Sequence, residues 1–542
     1  MKFFRPIIYM SLLFDAVRGV LNDGVLKLQG PASLPDTASH PLHPSLASFS
    51  IETAFFITYV GNVTHPNLLT KNLLENLKER TGRPAEIRIG GITADSTYWD
   101  PSLEAAAFNF ITDDGVLHNT TIGPGFWDAV RELLPEGTEI TMNLNLHDLN
   151  YRGALEVAQS ASEGLNPGQL VALEIGNEPD HYLSFTPQNY SEIWTLWSKD
   201  ISTALNFSNP MFQVAATAED PLWPYDAPGA TQQLGCVSAL RAGVNNASTV
   251  KLCSEHTYQY SVCDPPRIAV ATLPNLVNHT RLAMYLDLWQ PRIKFVRDEL
   301  GPDSYLIGEY SSVSCSGRNG VSNTFGQALW LLDTTFYGAS LNVSRQDVYA
   351  SRRSTCIAKL YTAQPWWTES LQYVVSCRQP ERSKTLGHSK TMRIANIYPG
   401  RQANGSTITA GGGDTSAGQL VAYGFWDTST PSGTAFPVKF ALLNLQIFNQ
   451  TSNYTRPSAI FDISLFLPEQ NTSVIVRHMQ APGADVKAGN LTTWAGQTFA
   501  SGSAKGEVVE ECVNDGKVTV EASGAALVIM NRKSEMNSAA CS

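Results

Sequence analysis

The sequence predicts an α/β protein, a (β/α)8 barrel joined to a C-terminal antiparallel β-sandwich. Two features of the hydrophobic pattern carry that prediction. From Pro44 to about Leu332 one phrase recurs, a short apolar run followed by a loop and an amphipathic stretch, which marks βα units. Beyond Met392 long helical patterns stop, and short strand-like runs alternate with Gly, Pro, Asn and Asp turns, as in a sandwich.

Taken in order, Lys2 and Arg5 precede a short apolar run, and Val17-Arg18-Gly19 offers small residues for cleavage before Val20. Residues 1–19 are therefore expected to be a secretory signal peptide, too short in its apolar part to span a bilayer. Residues 20–45 form an N-terminal segment whose stretch 25–34 is expected to lend a strand to the sandwich. The barrel is expected over 46–385, with strands at 47–51, 86–89, 139–144, 170–175, 213–216, 250–254 and 305–307, each apolar enough to be buried on both faces. Helices are read at 67–80, from Leu68, Leu69, Leu73, Leu74 and Leu77, and at 190–205, from Ile193, Trp194, Trp197, Ile201 and Leu205. The eighth strand and helix are expected within 351–386, a segment with Arg352-Arg353 and Trp366-Trp367 but little apolar strand pattern. The sandwich is expected over 386–542, with strands at 420–425, 438–445, 459–465, 473–479, 508–511, 518–521 and 525–530. Gly411-Gly412-Gly413 lacks the strand-to-helix setting of a nucleotide loop and reads as a turn.

Composition excludes several classes of function. With 49 acidic against 38 basic side chains among 542 residues, the chain carries a formal charge of −11 and no basic stripe for nucleic acid. The densest basic stretch, 382–393, reads as a solvated connector. No membrane anchor is expected, nor any cofactor. The eight cysteines lack zinc-site spacing and no H-E-x-x-H occurs, so no metal is expected either. Asn-x-Ser/Thr occurs at Asn62, Asn119, Asn189, Asn206, Asn246, Asn278, Asn342, Asn404, Asn449, Asn453, Asn471 and Asn490. Chance would give roughly five, and the excess points to a secreted glycoprotein, extracellular or in the cell wall, in which disulfides are permitted.

Two phrases carry chemistry. In Ala172-Leu-Glu-Ile-Gly-Asn-Glu-Pro-Asp180 a buried strand ends at Gly176 and presents Asn177 and Glu178 before Pro179 stops it. In Tyr305-Leu-Ile-Gly-Glu309 the arrangement repeats. These are the fourth and seventh strands, which face each other across a barrel mouth and bring two carboxylates into one cleft. Paired carboxylates point to glycoside hydrolysis, with retention at about 5–5.5 Å separation and inversion at about 6.5–9.5 Å.

Together with Ser48-Phe-Ser-Ile-Glu52, Arg88-Ile-Gly-Gly91 and Asn323-Thr-Phe-Gly-Gln-Ala-Leu-Trp-Leu-Leu332, these phrases resemble glycoside hydrolase family 79 of the clan A retaining glycosidases. The resemblance implies that Glu178 is the acid/base and Glu309 the nucleophile. Glu178 is then expected to stay protonated through partial desolvation, and Glu309 to be kept ionised by hydrogen bonds. It also implies that Asn177 bonds the sugar 2-hydroxyl, that Asp95 holds sugar hydroxyls, and that His256 or Tyr258 in Glu255-His-Thr-Tyr258 positions Glu309. Where glucuronate-binding members often carry a tyrosine followed by glycines, this chain has Ser314-Cys315-Ser316-Gly317. Ser314, Ser316 and the Gly317 amide are its candidate contacts to a sugar carboxylate. The expectation is a secreted, monomeric, retaining exo-β-glucuronidase acting on glycan side chains, including 4-O-methylated sugar. Its alternatives are a β-glycosidase of a neutral sugar and an inactive glycan-binding wall glycoprotein.

Overall fold

Eight strands close a parallel barrel: β1 (Ala47–Glu52), β2 (Ile87–Gly90), β3 (Ile140–Leu144), β4 (Leu170–Ile175), β5 (Phe212–Thr217), β6 (Val250–Ser261), β7 (Tyr305–Ser314) and β8 (Arg345–Ala350), with β8 returning to β1. The computed structural model describes residues 19–22, 25–30, 32–182, 185–224, 227–350, 391–398, 418–429, 431–468 and 472–530. Most of the predicted signal peptide, the 351–386 segment, nearly all of the basic stretch and the triple glycine lie outside the described residues.

Local signals explain the helices. Leu68–Thr81 starts where Asn67 accepts a hydrogen bond from the Thr70 amide, and it ends at Gly82, whose φ of 74° suits glycine. Pro187–Ala204 begins earlier than its apolar spacing indicated, because Thr186 and Asn189 form a capping box ahead of the first buried side chain. The eighth strand also corrects the reading, since it lies at Arg345–Ala350, ahead of 351–386. Arg345, Gln346 and Asp347 are buried there, and the Arg345 guanidinium bonds Asp347 and Glu86.

β6 and β7 run past their predicted ends and stay paired as far as Ser261 and Ser314, raising one wall above the barrel mouth. After β2 the chain makes a 3-10 turn, Ile92–Ser96, and an unpredicted three-stranded sheet of Thr97–Trp99, Leu117–Ile122 and Ala107–Ile111. The helix Phe325–Ser340 is buried almost all round. It packs between barrel and sandwich, with Phe336 against Tyr423 and Phe425, each at 5.4 Å.

The sandwich has two sheets. One joins Gly19–Asn22 and Val25–Leu28 to Ser458–Asp462 and Lys517–Glu521. The other is built on Met392–Tyr398, Leu420–Asp427, Lys439–Asn444, Gly524–Met530 and Val474–Gln480. Leu26, Leu28, Phe440, Phe461, Val476, Val520 and Val528 fill the space between them. Disulfides join Cys236 to Cys253 and Cys263 to Cys315. Among the described residues no helix is long and apolar enough to cross a membrane.

Candidate active site

The two glutamates owe their placement to glycines and bulges. Gly176 has a φ of 87°, and a Cβ there would lie 2.9 Å from the Leu146 side chain. Glu178 follows in a left-handed conformation, φ 50°, held by its amide to the Ala216 carbonyl at 2.9 Å. Gly308 has no room for a Cβ, which would meet Ser254 Oγ at 2.1 Å. Register shifts interrupt the pairing of β7 with both neighbours beside Glu309, and such bulges re-aim a side chain. The result is a compact triad in which one ligating atom each of Glu178, His256 and Glu309 lies within 4.8 Å of the others.

Arg88 organises this centre from below. Fully buried in β2, it donates from Nε to Glu174 at 2.8 Å, from one terminal nitrogen to Glu309 Oε2 and Ser50 Oγ at 2.8 and 2.9 Å, and from the other to Asn177 Oδ1 at 2.8 Å. A guanidinium offers only donors, so Asn177 must turn its oxygen to Arg88 and its NH2 group to the cavity, where no described residue accepts it. Burial alone would lower the Arg88 pKa, but Glu174 and Glu309 raise it and keep the charge. Tyr258 donates to Glu309 Oε1 at 2.5 Å. His256 lies nearer Glu178, with Nδ1 at 3.0 Å from its Oε1 and 3.9 Å from Glu309 Oε2.

The titratable groups of the centre shift one another. Burial raises the Glu178 carboxyl, but the neighbouring His181 and His256 imidazoles, at 3.6 and 3.0 Å, outweigh it and bring the group down to about 2. Burial pushes Glu309 up, against the pull of His256 and Arg88 and with the Glu178 charge adding to the rise. His181 is raised to about 9, chiefly by the Glu178 carboxylate 3.6 Å away, and His256 is raised by the two carboxylates against its burial. Glu178, His181 and His256 therefore titrate as one coupled set, the histidines drawing the carboxyl down and the carboxylates drawing the histidines up. The sequence reading did not include His181 as a neighbour of Glu178.

The remaining candidates divide. Asp95 is buried and off the cavity wall; it takes the Leu146 and Asn177 amides at 3.2 and 3.3 Å and the Tyr182 hydroxyl, contacts that brace the β4 loop. Ser314, Ser316 and Gly317 line the cavity, on a loop pinned by the Cys263–Cys315 bond with φ of 59°, 80° and 75° at Cys315, Ser316 and Gly317. Among the described residues no protein group takes up the Ser314 and Ser316 hydroxyls or the Ser316 and Gly317 amides. Glu52, from β1, also faces the cavity, bonded by Thr93 and Tyr349 and raised to about 7 by burial. Arg88 and Glu52 both stood in the quoted motifs; a charged residue inside or ending an apolar strand was the signal. The cavity, about 730 Å³, is walled by residues in or just after the C-terminal end of every barrel strand except β3, and Arg267 is on its wall.

A parallel barrel with two facing carboxylates at β4 and β7, closed by a sandwich, defines a glycoside hydrolase. The family model for the glycosyl hydrolase family 79 C-terminal beta domain matches residues 422–527. A beta-glucuronidase of Aspergillus niger is 30% identical over 546 residues, covering 93% of each chain. One of Neurospora crassa is 26% identical over 518 residues, covering 86% of this chain and 87% of its own. The chain belongs to glycoside hydrolase family 79. In fold it resembles the 4-O-alpha-L-rhamnosyl-beta-D-glucuronidase of Fusarium oxysporum, with TM-score 0.73, 21% identity, and 93% of this chain and 100% of that one covered. A family 51 arabinofuranosidase of Xanthomonas axonopodis pv. citri shares the fold more distantly, at TM-score 0.54 and 12% identity over 92% of this chain and 98% of that one.

Proposed function

We propose that this protein is a secreted, retaining exo-β-glucuronidase. The observation that carries the reading is the close approach of Glu178 and Glu309, one oxygen of each lying within 4.8 Å of the other, which falls on the retaining side of the roughly 6.5–9.5 Å spacing that inverting enzymes use. Glu309, held by Arg88 and Tyr258, attacks the anomeric carbon. The glycosidic C–O bond breaks, and the proton that Glu178 shares with His181 and His256 passes through Glu178 to the leaving oxygen. Water then loses a proton to Glu178, attacks the same carbon and frees Glu309. Asn177 turns its NH2 group toward the sugar, where a bond to the 2-hydroxyl strengthens as charge develops.

A cavity of about 730 Å³ with the raised β6–β7 wall on one side favours a chain end over a mid-chain bond. Near Ser314 the wall mixes Ser311, Ser316, Asn323 and Gln327 with Val313 and Cys315, and the charge of Arg267, which shares the cavity, would favour a uronate over a neutral sugar. The two β-glucuronidase relatives support the same sugar. The disulfides among the described residues and the sequon excess support secretion.

The test is hydrolysis of p-nitrophenyl β-glucuronide, its 4-O-methyl derivative and the β-glucoside by the protein and its Glu309→Ala variant, with the anomer first released read by NMR. Glucuronide turnover that gives the β-anomer first and is absent from the variant is the expected result. An α-anomer would overturn retention, and preference for the glucoside would move the substrate to a neutral sugar. Silence on all three would leave a glycan-binding protein.

A further inference from the structure

The small sheet that follows β2 exposes apolar side chains where a soluble surface does not need them. Phe108, Phe110, Ile111 and Val116, all in one hairpin, are 54%, 47%, 49% and 41% exposed. The inner face is settled by contacts: Asn109 donates to the Ala54 carbonyl at 2.9 Å, and its register partner Thr120, fully buried, donates to Asn109 Oδ1 at 2.9 Å. The outer face therefore carries the next pairs, Phe110 opposite Asn119 and Phe108 opposite Thr121. His118, the extra residue at the register shift, flanks the Phe110 ring at 5.8 Å.

Asn119-Thr120-Thr121 is a glycosylation sequon, and its asparagine differs from several others in the chain. The Asn62, Asn189, Asn278 and Asn342 side chains accept hydrogen bonds that order their own surroundings. Asn278 is 2% exposed and caps a helix, so the folded chain offers no room for a glycan there. Asn119 is only partly buried, and its side-chain amide meets no hydrogen-bond partner among the described residues. Directly opposite residues of an antiparallel pair hold their Cβ atoms about 4.5–5.5 Å apart, the right offset for a pyranose ring on Asn119 to lie over the Phe110 ring.

We infer that Asn119 carries an N-glycan whose first N-acetylglucosamine packs its C–H face on Phe110, with Phe108 extending the platform. The inference rests on the reading that the chain is secreted. In the modification a bond forms between Asn119 Nδ2 and C1 of the sugar, the C1–oxygen bond to a dolichyl diphosphate donor breaks, and the diphosphate leaves as the amide loses its proton. The sugar covers the apolar patch, and the patch holds the sugar.

The experiment is secretion from a eukaryotic host, trimming to single N-acetylglucosamine residues, and peptide mass spectrometry of each sequon, followed by thermal unfolding of the wild type, Asn119→Gln, Thr121→Ala, Phe110→Ala and the Asn119→Gln/Phe110→Ala pair. Expected are a sugar on Asn119 and a midpoint lowered by roughly 1–3 °C in Asn119→Gln and Thr121→Ala. The loss should vanish in the Phe110→Ala background, and the acetamide methyl protons should be shifted upfield by the ring only when Phe110 is present. Sugar on the exposed Asn453 and Asn490 but not on Asn119 would overturn this inference alone. So would an additive effect of the two substitutions. No sugar on any sequon would overturn it together with the secretion reading.

Discussion

Arg88 is the residue on which the catalytic centre depends most. It is the only cation touching both Glu174 and Glu309 among the described residues, and its planar fork also fixes Asn177. Lysine has one point of charge and cannot span those directions. Arg88→Lys should therefore lower stability by about 3–5 kcal/mol, as expected when a buried pair loses a partner, and cost at least about 100-fold in turnover. Denaturant unfolding together with glucuronide kinetics measures both; a variant of normal stability and activity would show that Glu174 and Glu309 need no such partner. His181 makes a second case at this scale. Its Nδ1 lies 3.6 Å from Glu178 Oε2 at the cavity mouth, and it helps to hold the carboxyl at about 2. His181 holds the shared proton up to about 9, so without it the carboxyl, even though relieved of a neighbouring cation, releases that proton at lower pH. His181→Ala should then move the alkaline limb of the kcat/KM profile downward while leaving the stereochemistry unchanged. An unmoved limb would show that His181 and Glu178 do not share a proton in the working enzyme.

At the scale of elements, the strands that were legible are those buried on both faces, because their apolar runs carry the signal: 170–175 coincides with β4. β8 was not legible because the barrel interior there is ionic, with Arg345 and Asp347 in place of Val or Ile. The three-stranded excursion escaped because its outward face is aromatic and its inward face polar, the inverse of the usual alternation. Glu178 and Glu309 were legible since each follows a glycine that ends an apolar run. The bulges that aim Glu309 were not, since a register shift leaves no mark on composition. The fit of β6 to β7 at this point gives a prediction. Gly308→Ala should abolish activity and destabilise the barrel, because the new methyl meets Ser254 Oγ at 2.1 Å. Ser254→Ala removes that oxygen, a buried hydroxyl with no partner among the described residues, and should cost little by itself. The double variant should regain most of the stability, since the next neighbours, Leu306 and Gln213, stand at 3.2 and 3.3 Å. A double variant as unstable as Gly308→Ala would place the strain elsewhere.

For the whole molecule, the buried titratable groups set one pH at which the fold is most stable. Burial raises Glu52, Asp95 and Asp347 to about 7 each, so in the folded state they hold protons that the unfolded chain releases near pH 4. Between those values the native state binds more protons, and stability falls as pH rises through about 7. His181, raised to about 9 by Glu178, contributes stability that is present below about 6.5 and lost as pH climbs through 9, reduced by its half-exposed setting. Glu178 and Glu86 act in the opposite direction. Burial favours their neutral forms, but His181 and His256 for Glu178, and Arg345 for Glu86, bring both to about 2, so what they contribute above about 4.5 is lost as pH falls. The two sets meet near pH 4.5, where the raised carboxyls are still protonated, the histidines are charged and the depressed glutamates are still ionised. The thermal midpoint should therefore peak at about pH 4–5 and lie roughly 5 °C or more lower at pH 8. Calorimetry across pH 3–9 measures this, and replacing Asp347 with Asn should flatten the decline between pH 5 and 7 by removing one of the three raised carboxyls. A midpoint highest at pH 7–8 would mean that these carboxyls ionise in the folded protein as freely as in the unfolded chain, and that the ionic barrel core is better solvated than its burial indicates.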